Sequence, residues 1–149
     1  MRAKTALAVE IAQVDRDRFN EAVAAGHYPC APHTLRGTTR LFEVDDVVAL
    51  WVYGRMIDDD VPPRRAGRIV CELLISTLKN SVFKEPIEEV VEIRTTRSRF
   101  FLPSDRVNAA DTHYGGFPLV YRRSWPVGRI RSEVVARLEW ERDNLGSDD

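Results

Sequence analysis

At 149 residues, 44% of them apolar, the chain has enough material for one ordinary domain, or a small domain with an appendage, around a real core. A formal net charge of −1 argues against a nonspecific nucleic-acid coat, and no apolar run of about 18 residues offers a membrane span. The opening MRAKTALAVEIAQ turns polar too soon for a secretory leader, so a cytoplasmic protein with no membrane partner is expected.

The charge is unevenly placed. Residues 1–40 hold six Lys/Arg against four Asp/Glu and 61–100 hold eight against five, whereas 41–60 hold one against six and 101–149 seven against eight. Ala6 to Gln13 and Asp15 to Ala25 show two short helical patterns separated by Val14, with Thr5 as the first N-cap. Leu7 and Ile11 share one buried face, and Phe19 and Val23 another. Opposite Phe19 stand Arg16, Asn20 and Glu21, with Arg18 beside them. Arginine and asparagine are the side chains that read guanine and adenine edges, although Asp15, Asp17 and Glu21 also fit a plain solvated face.

Gly26 stops the second helix, and Tyr28-Pro29-Cys30-Ala31-Pro32 is broken by proline. A short polar hairpin is expected from His33 to Phe42, turning at Arg36-Gly37-Thr38. It carries His33, Thr34, Arg36 and Arg40 with no acid between Gly26 and Leu41, a composition suited to phosphate contacts. Leu41 and Phe42 should plug it onto the helices. His27, Cys30 and His33 have the spacing H-x2-C-x2-H, but no second ligand cluster accompanies them, so they read as loop residues and no metal or other cofactor is expected. Cys30 and Cys71 lie far apart in sequence and read as reduced thiols.

Val44 to Asp60 is a helix whose apolar stripe is too broad for one-sided burial, so it should pack on two partners. Val61-Pro62-Pro63 ends it, and Pro62 or Pro63 begins the next helix, in which Ala66, Ile69, Val70, Leu73, Leu74 and Leu78 keep helical spacing. Arg64, Arg65 and Arg68 lie at its start. After a polar link over 79–88, Glu89 to Leu102 reads as one strand and Leu119 to Trp125 as a second, with a long loop, Pro103 to Pro118, between them. Val127 to Asp143 is helical with Ile130, Val134 and Leu138 on one face; an acidic tail follows Gly146.

Helix, tight turn, helix, two-stranded wing, helix is the winged helix-turn-helix arrangement. On Val14, Gly26, the Arg36 to Phe42 wing and Val44-Asp45-Asp46-Val47, about residues 5 to 80 resemble the N-terminal DNA-binding domain of the MerR family of transcription regulators. In that family a valine closes the turn, a glycine follows at the end of the recognition helix, an Arg-rich wing ends in an aromatic, and an acidic helix start comes next. The chain departs from the pattern at Arg18-Phe19-Asn20-Glu21-Ala22, where the family carries Thr-Leu-Arg-Tyr-Tyr, and at Gln13, where it carries glycine. The resemblance implies duplex DNA as partner and a second wing that brings Arg64 and Arg65 near the backbone; phage excisionases and small terminase subunits use similar domains.

The expected fold is therefore mainly α (α+β): a winged helix-turn-helix domain over 1–80, then a strand-strand-helix unit over 89–145. Two strands and a helix are too little for a core of their own, so that unit should pack on the first half or on a second copy, and a homodimer is expected. The function expected is DNA-binding transcriptional regulation, with a phage- or mobile-element-type DNA-binding protein and a protein-binding winged helix as alternatives. An effector is left open. No phosphate loop, G-x-S-x-G or H-E-x-x-H occurs, and Ser124, Asp111 and His113 make a triad by composition alone, so no enzyme is expected.

Overall fold

The computed structural model describes residues 1–34, 39–80, 82–83 and 85–145, and helices and sheet there share one apolar cluster that runs from Ala3 to Leu138. Strand β1 (Arg2–Lys4) leads directly into α1 (Thr5–Ala12). Thr5 is the first helical residue and not the cap; Lys4 holds the cap position without a side-chain hydrogen bond. Gln13 ends α1 in the left-handed region, φ 55°, and the Val14 N–H reaches back to the Val9 carbonyl at 2.9 Å. Asp15 then caps α2 (Arg16–Ala24), its carboxylate accepting from the Arg18 N–H at 2.9 Å.

Among the described residues, the end of the expected hairpin pairs with the N-terminus. Strand β2 (Leu41–Glu43) lies antiparallel to β1, with Ala3 opposite Phe42, and both of those side chains are fully buried. Pairing with the N-terminus buries Phe42 in the correct register, which a turn at 36–38 would otherwise have to set. The proposed turn itself, including Arg36, lies outside the described residues.

Helix α3 (Val44–Asp58) is the centre of the molecule. Val47, Val48, Leu50 and Val52 are fully buried although they point in different directions, because α1 covers one side and the C-terminal helix another. Burying each such side chain contributes roughly 1.5–3 kcal/mol, so this single helix carries much of the core. It comes close to the α1–α2 turn at Gly54, where an added Cβ would stand 2.7 Å from Val14 Cγ2. Arg55 closes the same joint by donating to the carbonyls of Gln13 (2.8 Å) and Ala12 (3.3 Å), which α1 leaves without helical partners.

Pro62 and Pro63 start α4 (Pro63–Arg68) as the sequence suggests; the helix continues through a π-helical stretch (Ile69–Leu74) into α5 (Ile75–Leu78). It lies directly on the chain after α2, since a Cβ at Gly67 would meet the His27 carbonyl oxygen at 1.7 Å. One turn further on, Cys71 is bonded to Cys30. The two thiols are thus a disulfide and not free. Their partnership was hidden because it joins positions 41 residues apart and shows only when α4 docks on the Tyr28–Cys30 segment.

The second half forms a four-stranded antiparallel sheet in the order β4-β3-β6-β5, from β3 (Val90–Thr95), β4 (Arg99–Pro103), β5 (His113–Tyr114) and β6 (Phe117–Trp125). Glu89 to Leu102 is therefore a hairpin and not one strand. The Thr95 hydroxyl accepts from the backbone N–H groups of Ser98 (2.9 Å) and Arg97 (3.2 Å), and this local side-chain turn breaks the run. The 103–118 segment is partly ordered into β5, and Arg122 pins it by donating to the carbonyls of Ala109 (2.7 Å) and Asp111 (3.0 Å).

Helix α6 (Val127–Leu145) buries Ile130, Val134 and Leu138 and packs against α3. Trp125, at the end of β6, stands edge-on to Trp51 of α3 with centroids 6.3 Å apart. The strand-and-helix unit thus rests on the first half of its own chain. Among the described residues no helix is long and apolar enough to cross a membrane.

Candidate nucleic-acid interface

The outward face of α2 carries Arg16, Asn20 and Glu21, all exposed, with Phe19 and Ala22 buried beneath them. Asp15 is occupied as the cap, which aims its charge at the Arg18 amide. Arg16, Arg18, Arg64 and Arg65 form no ion pair with a described carboxylate.

Two of the predicted groups come together around Pro62 and Pro63. A groove of ≈ 370 Å³ runs between the start of α2 and the end of α3; Arg18 and Pro63 line it, and Asp58 and Asp60 add acid to its rim. On the other side of the prolines a second groove, ≈ 420 Å³, is lined by Arg64, Arg65, Arg68 and Arg99 with Glu72. The Gly67 contact and the Cys30–Cys71 bond hold this helix against the end of α2, so Arg16 and Arg18 keep a fixed relation to Arg64 and Arg65, although Asp15, Asp17 and Glu21 leave α2 itself without net positive charge.

The loop residues are less favourably placed. His33 and Thr34 are exposed, but Arg40 is half-buried and turned back, its Nη1 donating to the Pro32 carbonyl. Arg40 therefore does not project as a hairpin arginine would. Cys30 has no thiolate to offer beside His27 and His33, because its sulfur is bonded to Cys71. His113 stands opposite Pro118 on β6, and Ser124 lies six positions further along that strand, a separation of about 20 Å that rules out a Ser124–His113 pair.

Sequence reasoning missed Arg99 and the group that holds it. Glu92 is buried in the sheet at 3% exposure, accepting from the Tyr121 hydroxyl at 2.9 Å and from Trp125 Nε1–H at 3.2 Å. Arg99 Nε lies 3.4 Å from the same carboxylate, as an ion pair across neighbouring strands. Burial, followed by the nearby Glu92 charge, pushes the Tyr121 hydroxyl pKa up, so it stays protonated as the donor. The sequence carried no clear signal of it: Glu92 alternates with Val91 and Ile93 and so falls, with Arg94, on the face that alternation assigns to solvent, whereas both faces of β3 are covered.

Tyr28, under the end of α2, is likewise held protonated by burial, with Asp46 adding to the effect. It packs edge-on against Phe19 and Tyr53 at 5.2 and 4.9 Å, which supports α2 from beneath.

No protein-family model matches the chain, and no curated protein matches it.

Proposed function

We propose that the chain is a DNA-binding transcriptional regulator of the MerR-like winged helix-turn-helix type, acting in the cytoplasm as a homodimer on duplex DNA. The observation that carries this reading is the exposed α2 face, with Arg16 and Asn20 one turn apart on a helix that follows a tight turn and is braced against a second helix bearing Arg64 and Arg65. Gln13 adds support: the position at which the resembled family carries glycine is left-handed here.

Arg16 and Asn20 approach base edges, while Arg18, Arg64 and Arg65 hold phosphates. Binding-site selection on random duplex DNA, followed by fluorescence anisotropy, tests this. Arg16→Ala or Asn20→Ala should cost about 1–3 kcal/mol on the selected site and little on random DNA. If both variants bind the selected duplex as wild type does, α2 does not read sequence. The assay is run on oxidised and reduced protein, because a cytoplasmic thiol pool works against the Cys30–Cys71 bond.

A second reading, a winged helix used to bind protein, is favoured by the exposed apolar side chains Phe117, Val120 and Trp140. Salt separates the two, since phosphate contacts make affinity fall steeply with ionic strength.

A further inference from the structure

We propose that the groove between the 63–78 helix and strand β4 is a phosphate-binding site, taking either a backbone phosphate of duplex DNA or the phosphate group of a small molecule. The DNA arm rests on the function proposed above; the small-molecule arm does not. Arg64, Arg65, Arg68 and Arg99 line this ≈ 420 Å³ groove with one acidic residue, Glu72, and the buried Glu92 stands behind Arg99. Arg64 and Arg68 are four apart and share a helix face, while Arg99 faces them from the sheet. Arginine from two walls suits a phosphate, whose oxygens accept several forked N–H pairs at once.

The acid present does not fill the need. Arg68 and Glu72 meet at 3.8 Å with both side chains about two-thirds exposed, 65% and 60%, and an exposed pair one helical turn apart is weak. Arg64 and Arg65 have no described carboxylate in ion-pair range. Arg99 differs from the helix arginines in being only 22% exposed. Its Nε stands 3.4 Å from the buried Glu92 carboxylate as an ion pair without a hydrogen bond, and its Nη2 makes a long contact, 3.5 Å, to the Tyr121 hydroxyl. A guanidinium fixed in this way loses little freedom when an anion arrives, which favours binding over a merely basic surface. The sheet, on this account, is part of the binding surface and not only its support.

The test uses the full chain with inorganic pyrophosphate in calorimetry and duplex DNA in anisotropy over a salt series. The variant is Arg64→Ala with Arg68→Ala, which leaves Glu92 and Arg99 in place and should keep the wild-type melting temperature without ligand. Wild type should bind one pyrophosphate per chain, and the double variant should lose roughly tenfold or more in affinity. Where duplex is the natural occupant, the double variant should also lower the magnitude of the salt slope by about two, one per arginine removed. Loss of pyrophosphate binding with an unchanged slope assigns the groove to a small-molecule phosphate. A slope change without pyrophosphate binding assigns it to the DNA backbone. If neither changes, or if poly-glutamate binds as well as pyrophosphate and with the same arginine dependence, the proposal is overturned. When Arg16→Ala still weakens duplex binding in that case, the DNA reading survives alone; pyrophosphate binding by a chain that ignores duplex leaves only the groove.

Discussion

Two joints hold this molecule together, and they are made of different things. The joint between the α2 exit and the 63–78 helix is steric and covalent, with Gly67 against the His27 carbonyl and Cys30 bonded to Cys71. The joint between α3 and the sheet is aromatic and charged. There Arg55 lies over Trp51 at 5.1 Å, Trp51 meets Trp125, Arg123 lies over Trp125 at 3.9 Å, and Arg123 pairs with Asp59 at 2.7 Å. A steric joint tolerates no added atom, whereas a polar one tolerates changes of shape but not the loss of a partner. The first type fixes α2 against the helix that bears Arg64 and Arg65; the second seats on α3 the sheet that carries Arg99.

The sharpest way to break this contrast is at Gly67. Gly67→Val places a branched side chain against backbone that no rotamer change can move, so the cost should be about 4 kcal/mol or failure to fold, read by urea denaturation. A loss under about 1 kcal/mol would mean the helix does not dock as described.

The polar side of the contrast is tested at Glu92, which holds Trp125 of that joint from within the sheet. Glu92→Ala leaves Arg99 half-buried without its carboxylate and removes the acceptor of Tyr121 and Trp125, which should cost about 3 kcal/mol in the same assay. Glu92→Gln keeps an acceptor for Tyr121 and Trp125 and should cost clearly less. Equal losses would show that packing, not the polar network, sets stability there.

The smallest effect refines the comparison at the turn between α1 and α2. Gln13 has φ 55°, which a residue with a Cβ adopts at a cost, so Gln13→Gly should gain up to about 1 kcal/mol after the greater freedom of glycine in the unfolded chain is counted. A loss of stability would mean that the Gln13 side chain contributes more than its backbone costs.

What could be read in advance followed the range of the interaction. Helices α1, α2, α3 and α6 came from local repeats such as Ile130, Val134 and Leu138, and the Pro62–Pro63 start came from fixed backbone geometry. The two-sided burial of α3 was legible because its stripe was too wide for one neighbour. By contrast, β1 is three residues long, too short for periodicity to register, and its partner β2 lies beyond two helices. The β3–β4 turn depends on one threonine hydroxyl inside a run that otherwise looks continuous. In the candidate site, Arg16, Arg18, Asn20, Arg64 and Arg65 were visible as charge on helix starts and faces. Arg99 was not, because its place beside Arg68 exists only after the sheet has packed on the helix.

The Cys30–Cys71 bond also changes how the chain carries load. The segment it closes contains β2, all of α3 and α4 and the start of the π-helical stretch, while α1 and α2 lie on one side of it and the sheet with α6 on the other. Pulled from its two ends, the chain transmits tension from sulfur to sulfur and bypasses the helix at the centre of the core. The 41 residues of separation, about 140 Å of contour length when extended, stay out of reach of a stretching force until the bond is reduced. In mechanical terms the central helix is shielded, and the outer parts give way first.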